Sequence, residues 1–368
     1  MNNVHSKKEW EQYCAQELEI LEPILRTHGY TLDAEQKHIQ GERYLMQAIT
    51  TTSGKKLILT GKTQNNTKVI IKATRDSAGT NEIDHERTCR DFLKEIDFAG
   101  EVFHTPQEIA YFRENGFTIA VQQFIDQTSS FIERPTPEQF AFALRAFKGQ
   151  ESAHATTAKH QKSVTCIYGM RDIDSYTQTF ASFCENIEQA TENTGDISTV
   201  LKEAKTTLEH NAKIIEQYCN FLTHTDFVPH NIRINNDTIY LLDHSSLTFG
   251  NKYEGWARFI NFMTLYNPPL QRALEQYIRD NRTPEEAVSL RMMRIYRLGE
   301  ILWYYVRATG LSTDSLHALN VARIKFWSEV LVHVLKDTDV PQSVIETYIQ
   351  TRDSLRSEDE KQRQQGLH

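Results

Sequence analysis

The chain has 368 residues, of which 24% are charged and 39% are hydrophobic, and its formal net charge is −8. This length allows two lobes with separate cores, because single cores rarely grow beyond about 250 residues. The acidic balance argues against nucleic acid or an anionic membrane as the main partner. It is compatible with a cationic small molecule.

The cysteines and the apolar runs indicate a cellular compartment. Five cysteines are scattered along the chain without a C-x-x-C pair, which indicates a reducing compartment and no structural zinc site. The N-terminus is charged and lacks the apolar stretch of a signal peptide. No apolar run approaches the roughly 20 residues of a membrane helix. We expect a cytoplasmic protein without a membrane partner, and the oligomeric state stays open.

The N-terminal third predicts a helix followed by a sheet. Apolar residues at helical spacing predict an amphipathic helix over residues 5–29. Between residues 42 and 132, short apolar runs alternate with turn-forming residues, and they are interrupted by the helical segment NEIDHERTCRDFLKEI. The strand-like runs are RYLMQAI, KLILTGK, KVIIKA, EIAYF and FTIAVQQFI. An antiparallel sheet with one helix is an α+β arrangement, and the absence of βαβ alternation argues against a doubly wound sheet.

The chain after Thr136 predicts helices. Thr283-Pro284-Glu285-Glu286 combines a capping box with proline at the first helical position. The helix that begins there has bulky side chains on nearly every face, so we expect it to be buried. Trp303, Tyr304 and Tyr305 are then expected to be core residues. The polar segment from residue 353 predicts a tail.

One segment carries a pattern suited to phosphoryl transfer. His224-x-Asp226 is followed after four residues by Asn231, and a turn and the apolar strand TIYLL then lead to Asp243. Phosphoryl transfer needs a carboxylate at the acceptor hydroxyl and hard oxygen ligands for magnesium. The alternative is a surface turn, in which Asp and Asn are common.

This segment resembles the catalytic loop and metal-binding strand of the aminoglycoside phosphotransferases and choline kinases. The resemblance implies a bilobal protein-kinase-like fold, with a small antiparallel-sheet N-lobe and a larger, mainly helical C-lobe. It implies that Asp226 is the catalytic base, that His224 supports the loop, and that Asn231 and Asp243 hold Mg²⁺. The implied activity is transfer of a phosphoryl group from ATP or GTP to a hydroxyl of a small acceptor that is aminoglycoside-, choline- or sugar-like.

The sheet and its helix supply a second set of candidates. Lys72 ends the run KVIIKA and looks like the kinase lysine that pairs the nucleotide phosphates; the alternative is an edge-strand surface lysine, as we expect for Lys68. Glu82 and Glu86 lie on an otherwise apolar helical stripe, where a carboxylate is costly unless it is paired. We prefer Glu86 as the partner of Lys72, because it is nearer the middle of the helix.

The resemblance implies two further nucleotide contacts, which are assigned to residues by position alone. The segment TTTSGK, residues 50–55, would cover the phosphates through Ser53 and Gly54, although it lacks a Gly-x-Gly-x-x-Gly pattern. An ordinary hairpin turn, or a phosphate loop around Gly41, is the alternative. The interlobe hinge would fall in AVQQFID, where backbone groups near Gln123 and Ile125 would bind the base.

The chain departs from the family pattern after Asp243. His244 stands where an aromatic residue is usual, and Glu254 stands where the family has an aspartate that braces the catalytic loop; we expect the bracing to survive. Trp256 and Arg258 could face the acceptor pocket by position. A catalytically degenerate, nucleotide-binding regulator is the alternative function. The expected units are an N-terminal extension (1–40), an N-lobe (41–125), a C-lobe (126–352) and a tail (353–368).

Overall fold

The computed structural model describes residues 2–36, 55–95, 104–153, 158–190, 195–312, 314–356 and Lys361. In this part of the chain, twelve α-helices and nine strands form a small sheet-based N-terminal lobe and a larger helical C-terminal lobe. No helix among these residues is long and apolar enough to cross a membrane.

The N-terminal lobe is an antiparallel sheet with one helix inserted between its strands. Its five strands lie in the order β1-β2-β3-β5-β4, and every adjacent pair is antiparallel. The helix α2 connects β3 to β4. The α+β class predicted from the sequence is therefore confirmed, while the run RYLMQAI and residues 50–54 lie outside the described residues. The elements are α1 (Asn2–Thr27), β1 (Tyr30–Leu32), β2 (Leu57–Thr63), β3 (Lys68–Thr74), α2 (Ser77–Glu95), β4 (Glu108–Glu114) and β5 (Phe117–Gln123).

The N-terminal helix belongs to the core of the sheet. Its apolar face buries Leu21, Ile24 and Leu25 against the sheet residues Leu59 and Ile71. Strand β1 then pairs with β2 at the edge of the sheet. The extension predicted for residues 1–40 thus contributes a helix and an edge strand to the first lobe.

Strand β3 orients Lys72 by the two-residue period of a strand. Val69, Ile71 and Ala73 are fully buried in the core that α1 covers, so Lys72 lies on the opposite face. Lys68 on that same face is exposed and lies over the ring of Phe124, 5.3 Å from its centroid.

The C-terminal lobe consists of helices around two short β-ribbons. Its core is centred on α8 and α10, which pack against one another and against the surrounding helices. The capping box predicted at Thr283 is present, with Glu286 as its second member. The helices are α3 (Thr136–Ser152), α4 (Ala158–Tyr168), α5 (Ile173–Ala190), α6 (Gly195–His210), α7 (Ala212–Gln217), α8 (Glu254–Tyr266), α9 (Pro268–Asn281), α10 (Pro284–Gly310), α11 (Asp314–Leu335) and α12 (Gln342–Leu355).

The aromatic cluster of α10 differs from its prediction. Trp303, Tyr304 and Tyr305 are half-buried rather than fully enclosed. They lie near the C-terminal end of α10, where the helix is no longer covered on all sides. The predicted burial holds for the middle of α10, from Ser289 to Gly299, where only Arg291 is not buried.

Helix α2 joins the two lobes. Its residues Cys89 and Leu93 belong to the C-terminal core rather than to the core under α1. The hydroxyl of Tyr168 on α4 also donates to the carbonyl of Cys89 at 2.8 Å. The helix that follows the lysine strand is therefore anchored from the opposite lobe.

Candidate active site

Two β-ribbons place the motif residues side by side. Strand β6 (Phe221–His224) pairs with β9 (Leu247–Gly250), and β7 (Ile232–Asn235) pairs with β8 (Thr238–Leu241). The connecting segments are bonded to one another: Thr225 N donates to the Ser246 carbonyl, and Leu242 N donates to the Asn231 carbonyl, each at 2.9 Å. The structure thus brings the predicted catalytic loop next to the segment that contains Asp243.

The side chain of His224 connects these two segments. Its side chain is fully buried, and Nε2 lies 2.9 Å from the Leu242 carbonyl oxygen and 3.1 Å from that of Asp243. Both neighbours are acceptors, so Nε2 carries the hydrogen. The ring thus bonds the predicted catalytic loop to the Asp243 segment, and the supporting role that the resemblance implies for His224 stays a prediction.

The Asp226 carboxylate is held by two donors. Its Oδ2 accepts from Asn231 Nδ2 at 3.0 Å, and its Oδ1 accepts from Arg258 Nε at 3.0 Å. Asn231 Nδ2 also donates to the Asp226 backbone carbonyl. Burial opposes ionisation, but Arg258 and then His230 outweigh it and lower the pKa of Asp226 to about 2. With 35% of its side chain exposed, Asp226 is an accessible, ionised acceptor.

Asp243 has an unusual backbone and two hydroxyl donors. Its φ of 57° and ψ of 60° lie in the left-handed region, which costs energy for a non-glycine residue and is typical of functional sites. Its carboxylate accepts from Ser245 Oγ at 2.6 Å and from Ser246 Oγ at 3.0 Å. We did not predict these serines as site residues, although hydroxyls two and three residues after an aspartate are a recognisable turn signal.

Lys72 and Glu86 form a buried ion pair. Lys72 Nζ lies 2.5 Å from both carboxylate oxygens of Glu86, and the two side chains are 12% and 5% exposed. Burial opposes ionisation, but Lys72 outweighs it and lowers the pKa of Glu86 to about 2. Glu82 instead pairs with Lys56 at 3.0 Å. The choice of Glu86 as the partner of Lys72 is confirmed, while the contact of Lys72 with nucleotide stays a prediction.

His244 connects the ion pair to Asp243. It begins a 3₁₀ turn, His244–Ser246, that packs on α2, and its side chain is 1% exposed. Burial lowers the pKa of His244 to about 3, against the opposing charge of Glu86 nearby. The residue that departs from the family pattern is therefore a neutral, buried contact between Asp243 and the helix of Glu86.

The hinge residues differ in what they can offer a nucleotide base. Gln123 N donates to the Gln107 carbonyl at 2.8 Å, so this N–H is already used within the protein. Within the described residues, no hydrogen bond uses the backbone of Ile125. Of the two predicted hinge contacts, Ile125 therefore keeps both backbone groups available. Ser53 and Gly54 lie outside the described residues.

Glu254 does not brace the catalytic loop as expected. Its carboxylate accepts from Arg171, from Arg297 at 3.3 Å and from the hydroxyl of Tyr176 at 2.7 Å. The expected loop bonds are absent from the Glu254 contacts in the described part of the chain. The longer glutamate side chain reaches α5 and α10 instead.

Two residues of α8 that were predicted by position differ in burial. Trp256 and Arg258 lie half a helical turn apart, and only Arg258 is partly exposed. Trp256 is fully buried and stacks on Phe147 with ring centroids 3.9 Å apart, so its predicted place in the acceptor pocket is wrong. Arg258 lies at the site, but its bond to Asp226 could not be read from position alone.

The oxygen donors fit a magnesium ion that is also bound by phosphate. No group of three or more His, Cys, Asp or Glu side chains in the described ranges is arranged to hold a metal ion by itself. Asn231 uses its amide nitrogen on Asp226, which leaves its oxygen for a metal, and each Asp243 oxygen accepts one hydroxyl. Mg²⁺ in nucleotide sites takes one or two protein oxygens and completes its shell with phosphate and water.

The comparisons with known proteins address the fold. No protein-family model matches the sequence, and the curated proteins give no match. Among solved structures, macrolide 2′-phosphotransferase type I has a TM-score of 0.53 at 13% identity, over 84% of this chain and 97% of that chain. Macrolide 2′-phosphotransferase MphH from Brachybacterium faecium gives 0.52 at 13%, over 83% and 98%.

An aminoglycoside phosphotransferase is similar to the same degree. The APH(4)-Ia ternary complex with AMP-PNP and hygromycin B has a TM-score of 0.52 at 14% identity, over 80% of this chain and 97% of that chain. The sequence resemblance is thereby confirmed at the level of the fold. The chain has the fold of the aminoglycoside and macrolide phosphotransferases.

Proposed function

We propose that the protein is a small-molecule kinase of the protein-kinase-like fold, which transfers the γ-phosphoryl group of ATP or GTP to a hydroxyl of a small acceptor. One observation carries this proposal. The turn that begins at His244 packs on α2, so that His244, which directly follows Asp243 in the chain, lies near the Lys72–Glu86 pair of the N-terminal lobe. A buried lysine of the sheet and the acidic residues of the helical lobe are thus close to one another, which supports a nucleotide site between the two lobes.

The residues divide the chemistry between them. Lys72, held in position by Glu86, would bind the α- and β-phosphates. The acceptor oxygen would attack the γ-phosphorus in line while the bond to the β–γ bridging oxygen breaks, and the hydroxyl proton would pass to Asp226. The low pKa of Asp226 makes it a weak base, so its main contribution would be to orient the hydroxyl.

Asn231 and Asp243 would hold Mg²⁺ through their free oxygen lone pairs. When bound, the ion neutralises charge on the nucleotide phosphates. The two serine hydroxyls on Asp243 fix the carboxylate, and the hydrogen bond from Asn231 to Asp226 places the proposed ligand and the proposed base in one rigid unit.

The solved structures support this assignment by their ligands and names. They are phosphotransferases, and one contains a nucleotide analogue together with the aminoglycoside hygromycin B. Aminoglycoside-, choline- and sugar-like acceptors all remain within the proposal, and a protein substrate does not.

A thermal shift with ATP and with GTP, each with and without magnesium, tests the nucleotide site. Ligand at about 100 times its Kd stabilises the folded state by about 2.7 kcal/mol, so a magnesium-dependent rise in Tm is the expected result. No shift with either nucleotide would contradict the proposal.

Turnover separates an enzyme from a degenerate regulator. Asp226→Asn keeps the shape of the side chain and should lower acceptor phosphorylation by about a hundredfold or more while leaving nucleotide binding nearly unchanged. Nucleotide binding by the wild type without phosphorylation of any aminoglycoside, amino alcohol or sugar would favour the regulator, as the missing glycine-rich pattern and the His244 departure do.

A further inference from the structure

The turn after β8 contains two serines of the site that were not predicted from the sequence. Asp243 precedes the 3₁₀ turn His244–Ser246, in which Ser245 and Ser246 are half-buried. Ser245 Oγ donates to Asp243 Oδ1 at 2.6 Å, and Ser246 Oγ donates to Asp243 Oδ2 at 3.0 Å. Both oxygens of the proposed metal ligand are therefore bonded by hydroxyls of its own turn.

These two bonds fix the orientation of the Asp243 carboxylate. Rotation of the group out of its present plane would lengthen both bonds at once. A carboxylate has about four lone-pair positions, and the two hydroxyls take one on each oxygen. One position on each oxygen therefore remains for an ion, in a direction that the serines determine.

The backbone of the turn is held independently of the two hydroxyls. Ser246 N donates to the Asp243 carbonyl at 3.0 Å, and Thr225 donates to the Ser246 carbonyl through both N and Oγ1, each at 2.9 Å. His224 Nε2 lies 3.1 Å from the Asp243 carbonyl oxygen. Removing the hydroxyls should therefore release the Asp243 side chain and leave the turn beside the catalytic loop.

Each serine hydroxyl is left with acceptor capacity only. A hydroxyl has a single hydrogen, and in both serines it is donated to Asp243. The remaining lone pairs on Oγ can accept hydrogen bonds from the water shell of a cation, but the hydroxyl has no second hydrogen to donate to a phosphate. The two serines are therefore suited to the surroundings of a hydrated cation.

The proposed ligands favour a small cation that keeps much of its water. They are one carboxylate, that of Asp243, and one neutral amide oxygen, that of Asn231. Mg²⁺ in nucleotide sites is held through one or two carboxylates and retains several waters, whereas Ca²⁺ takes about six to eight oxygens in a more flexible arrangement. A carboxylate fixed in one direction therefore suits Mg²⁺ better than Ca²⁺.

We propose that Ser245 and Ser246 are positioning residues for the metal ion of the nucleotide site, and that they make this site prefer Mg²⁺ to Ca²⁺. They act through Asp243, whose carboxylate they hold in the direction that the ion requires. The proposal rests on the proposed kinase function and names the residues that set its metal preference.

The test measures ion binding rather than turnover. The full chain is titrated separately with Mg²⁺ and with Ca²⁺ at one fixed concentration of AMP-PNP or GMP-PNP, whichever the wild type binds, and the rise in Tm is followed. Binding of the ion to free nucleotide is then the same for every variant. Ser245→Ala with Ser246→Ala should weaken the apparent affinity for Mg²⁺ about tenfold or more, the effect commonly seen when a group that orients a metal ligand is removed. The affinity for Ca²⁺ should fall less.

Two further variants separate the hydroxyls from other effects of substitution. Ser175→Ala is the matched control, because Ser175 Oγ donates to Asp172 Oδ1 at 2.6 Å, at the start of α5. It should leave both ion affinities unchanged. Ser245→Thr with Ser246→Thr keeps both hydroxyls and should retain most of the Mg²⁺ affinity. Unchanged Mg²⁺ affinity in the double alanine variant, an equal loss in Ser175→Ala, or equal losses for Mg²⁺ and Ca²⁺ would refute the proposal.

Binding of the nucleotide analogue in EDTA distinguishes ion positioning from general support of the site. This binding should be the same in the wild type and in the double alanine variant. A comparable loss in EDTA would show that the serines support the nucleotide site as a whole, and the proposal would fail. The single variants Ser245→Ala and Ser246→Ala give the same comparison if the double variant folds poorly.

The wild type separates this proposal from the proposed kinase function. A wild type without any metal-dependent shift with either analogue would refute both. A normal wild-type shift that the double alanine variant retains in full would refute the role of the serines alone.

Discussion

Asp226 is the residue on which the proposed chemistry depends, and its environment sets its ionisation. Arg258 donates to one carboxylate oxygen and Asn231 to the other, so the group is both ionised and fixed in orientation. Removing Asn231 would also remove a proposed metal ligand. Substitution of Arg258 is therefore the cleaner test of how the orientation of the Asp226 carboxylate contributes to turnover.

We expect Arg258→Ala to lower kcat about 10- to 100-fold with little change in the KM for nucleotide, because the carboxylate loses its orientation. Arg258 also lowers the pKa of Asp226, so in the variant this pKa rises towards its ordinary value. Activity requires the ionised form and is lost as pH falls through the pKa. The acid limb of the kcat profile should therefore move to higher pH. Arg258→Lys should restore part of kcat, and an unchanged acid limb in Arg258→Ala would contradict this role.

Glu86 gives a pH dependence of stability with a defined sign. Its pKa is lowered from 4.5 to about 2 in the folded protein, so the stabilisation is fully present above about pH 4.5 and is lost as pH falls towards 2. Glu86→Gln removes this contribution and leaves the Lys72 charge buried, which costs on the order of 3 kcal/mol at neutral pH.

Urea unfolding at a series of pH values measures this difference. The difference in the free energy of unfolding between the wild type and Glu86→Gln should become smaller as pH falls below 4.5. Glu22→Gln is the control, since Glu22 and its partner Arg26 are 45% and 72% exposed and their pair should contribute less than about 1 kcal/mol. If this difference in the free energy of unfolding is the same at every pH, Glu86 stabilises the fold by packing rather than by charge.

At the scale of elements, the first turn of α8 is packed directly against the catalytic loop. A Cβ at Gly255 would lie 3.0 Å from the His224 carbonyl oxygen, 3.0 Å from Thr223 Oγ1 and 2.8 Å from Gln150 Oε1. The carbonyl belongs to the backbone just before Asp226 and cannot move without moving the loop. The absence of a side chain here is therefore a condition for the close approach of helix and loop.

We expect Gly255→Ala to destabilise the protein by about 1–3 kcal/mol and to lower kcat, because overpacking displaces the loop. Gly310→Ala, at the end of α10, has open space around the new Cβ and should be neutral or stabilising by up to about 1 kcal/mol. Thermal unfolding and steady-state kinetics on both variants provide the comparison. A Gly255→Ala variant with wild-type stability and kcat would show that the loop tolerates the shift.

At the scale of the whole molecule, the sequence predicted what depends on local pattern. The sheet with one helix, the capping box at Thr283 and the neighbourhood of Asp226, Asn231 and Asp243 follow from periodicity and short spacing. The partners of Glu254 were not predictable, because Tyr176 lies 78 residues away and Arg171 lies 83 residues away.

The two lobes have separate cores of very different size. Among the described residues, 13 buried apolar residues form the core under α1 and 50 form the C-terminal core. Burial of apolar surface is the main stabilising term, so the smaller core should be the less stable unit. Helix α2 contributes Cys89 and Leu93 to the larger core, which should keep it folded when the sheet opens.

We therefore expect two calorimetric transitions, the first from the N-terminal sheet and the second from the helical lobe. Amides of β2, β3 and β5 should exchange with solvent before those of α8 and α10. Magnesium with ATP or GTP binds both lobes in the proposed site, so it should raise the lower Tm more than the upper one and bring the transitions together. The control is Lys72→Ala, in which the nucleotide should leave both transitions in place. A single transition without ligand, with equal calorimetric and van't Hoff enthalpies, would show that α2 couples the lobes into one cooperative unit.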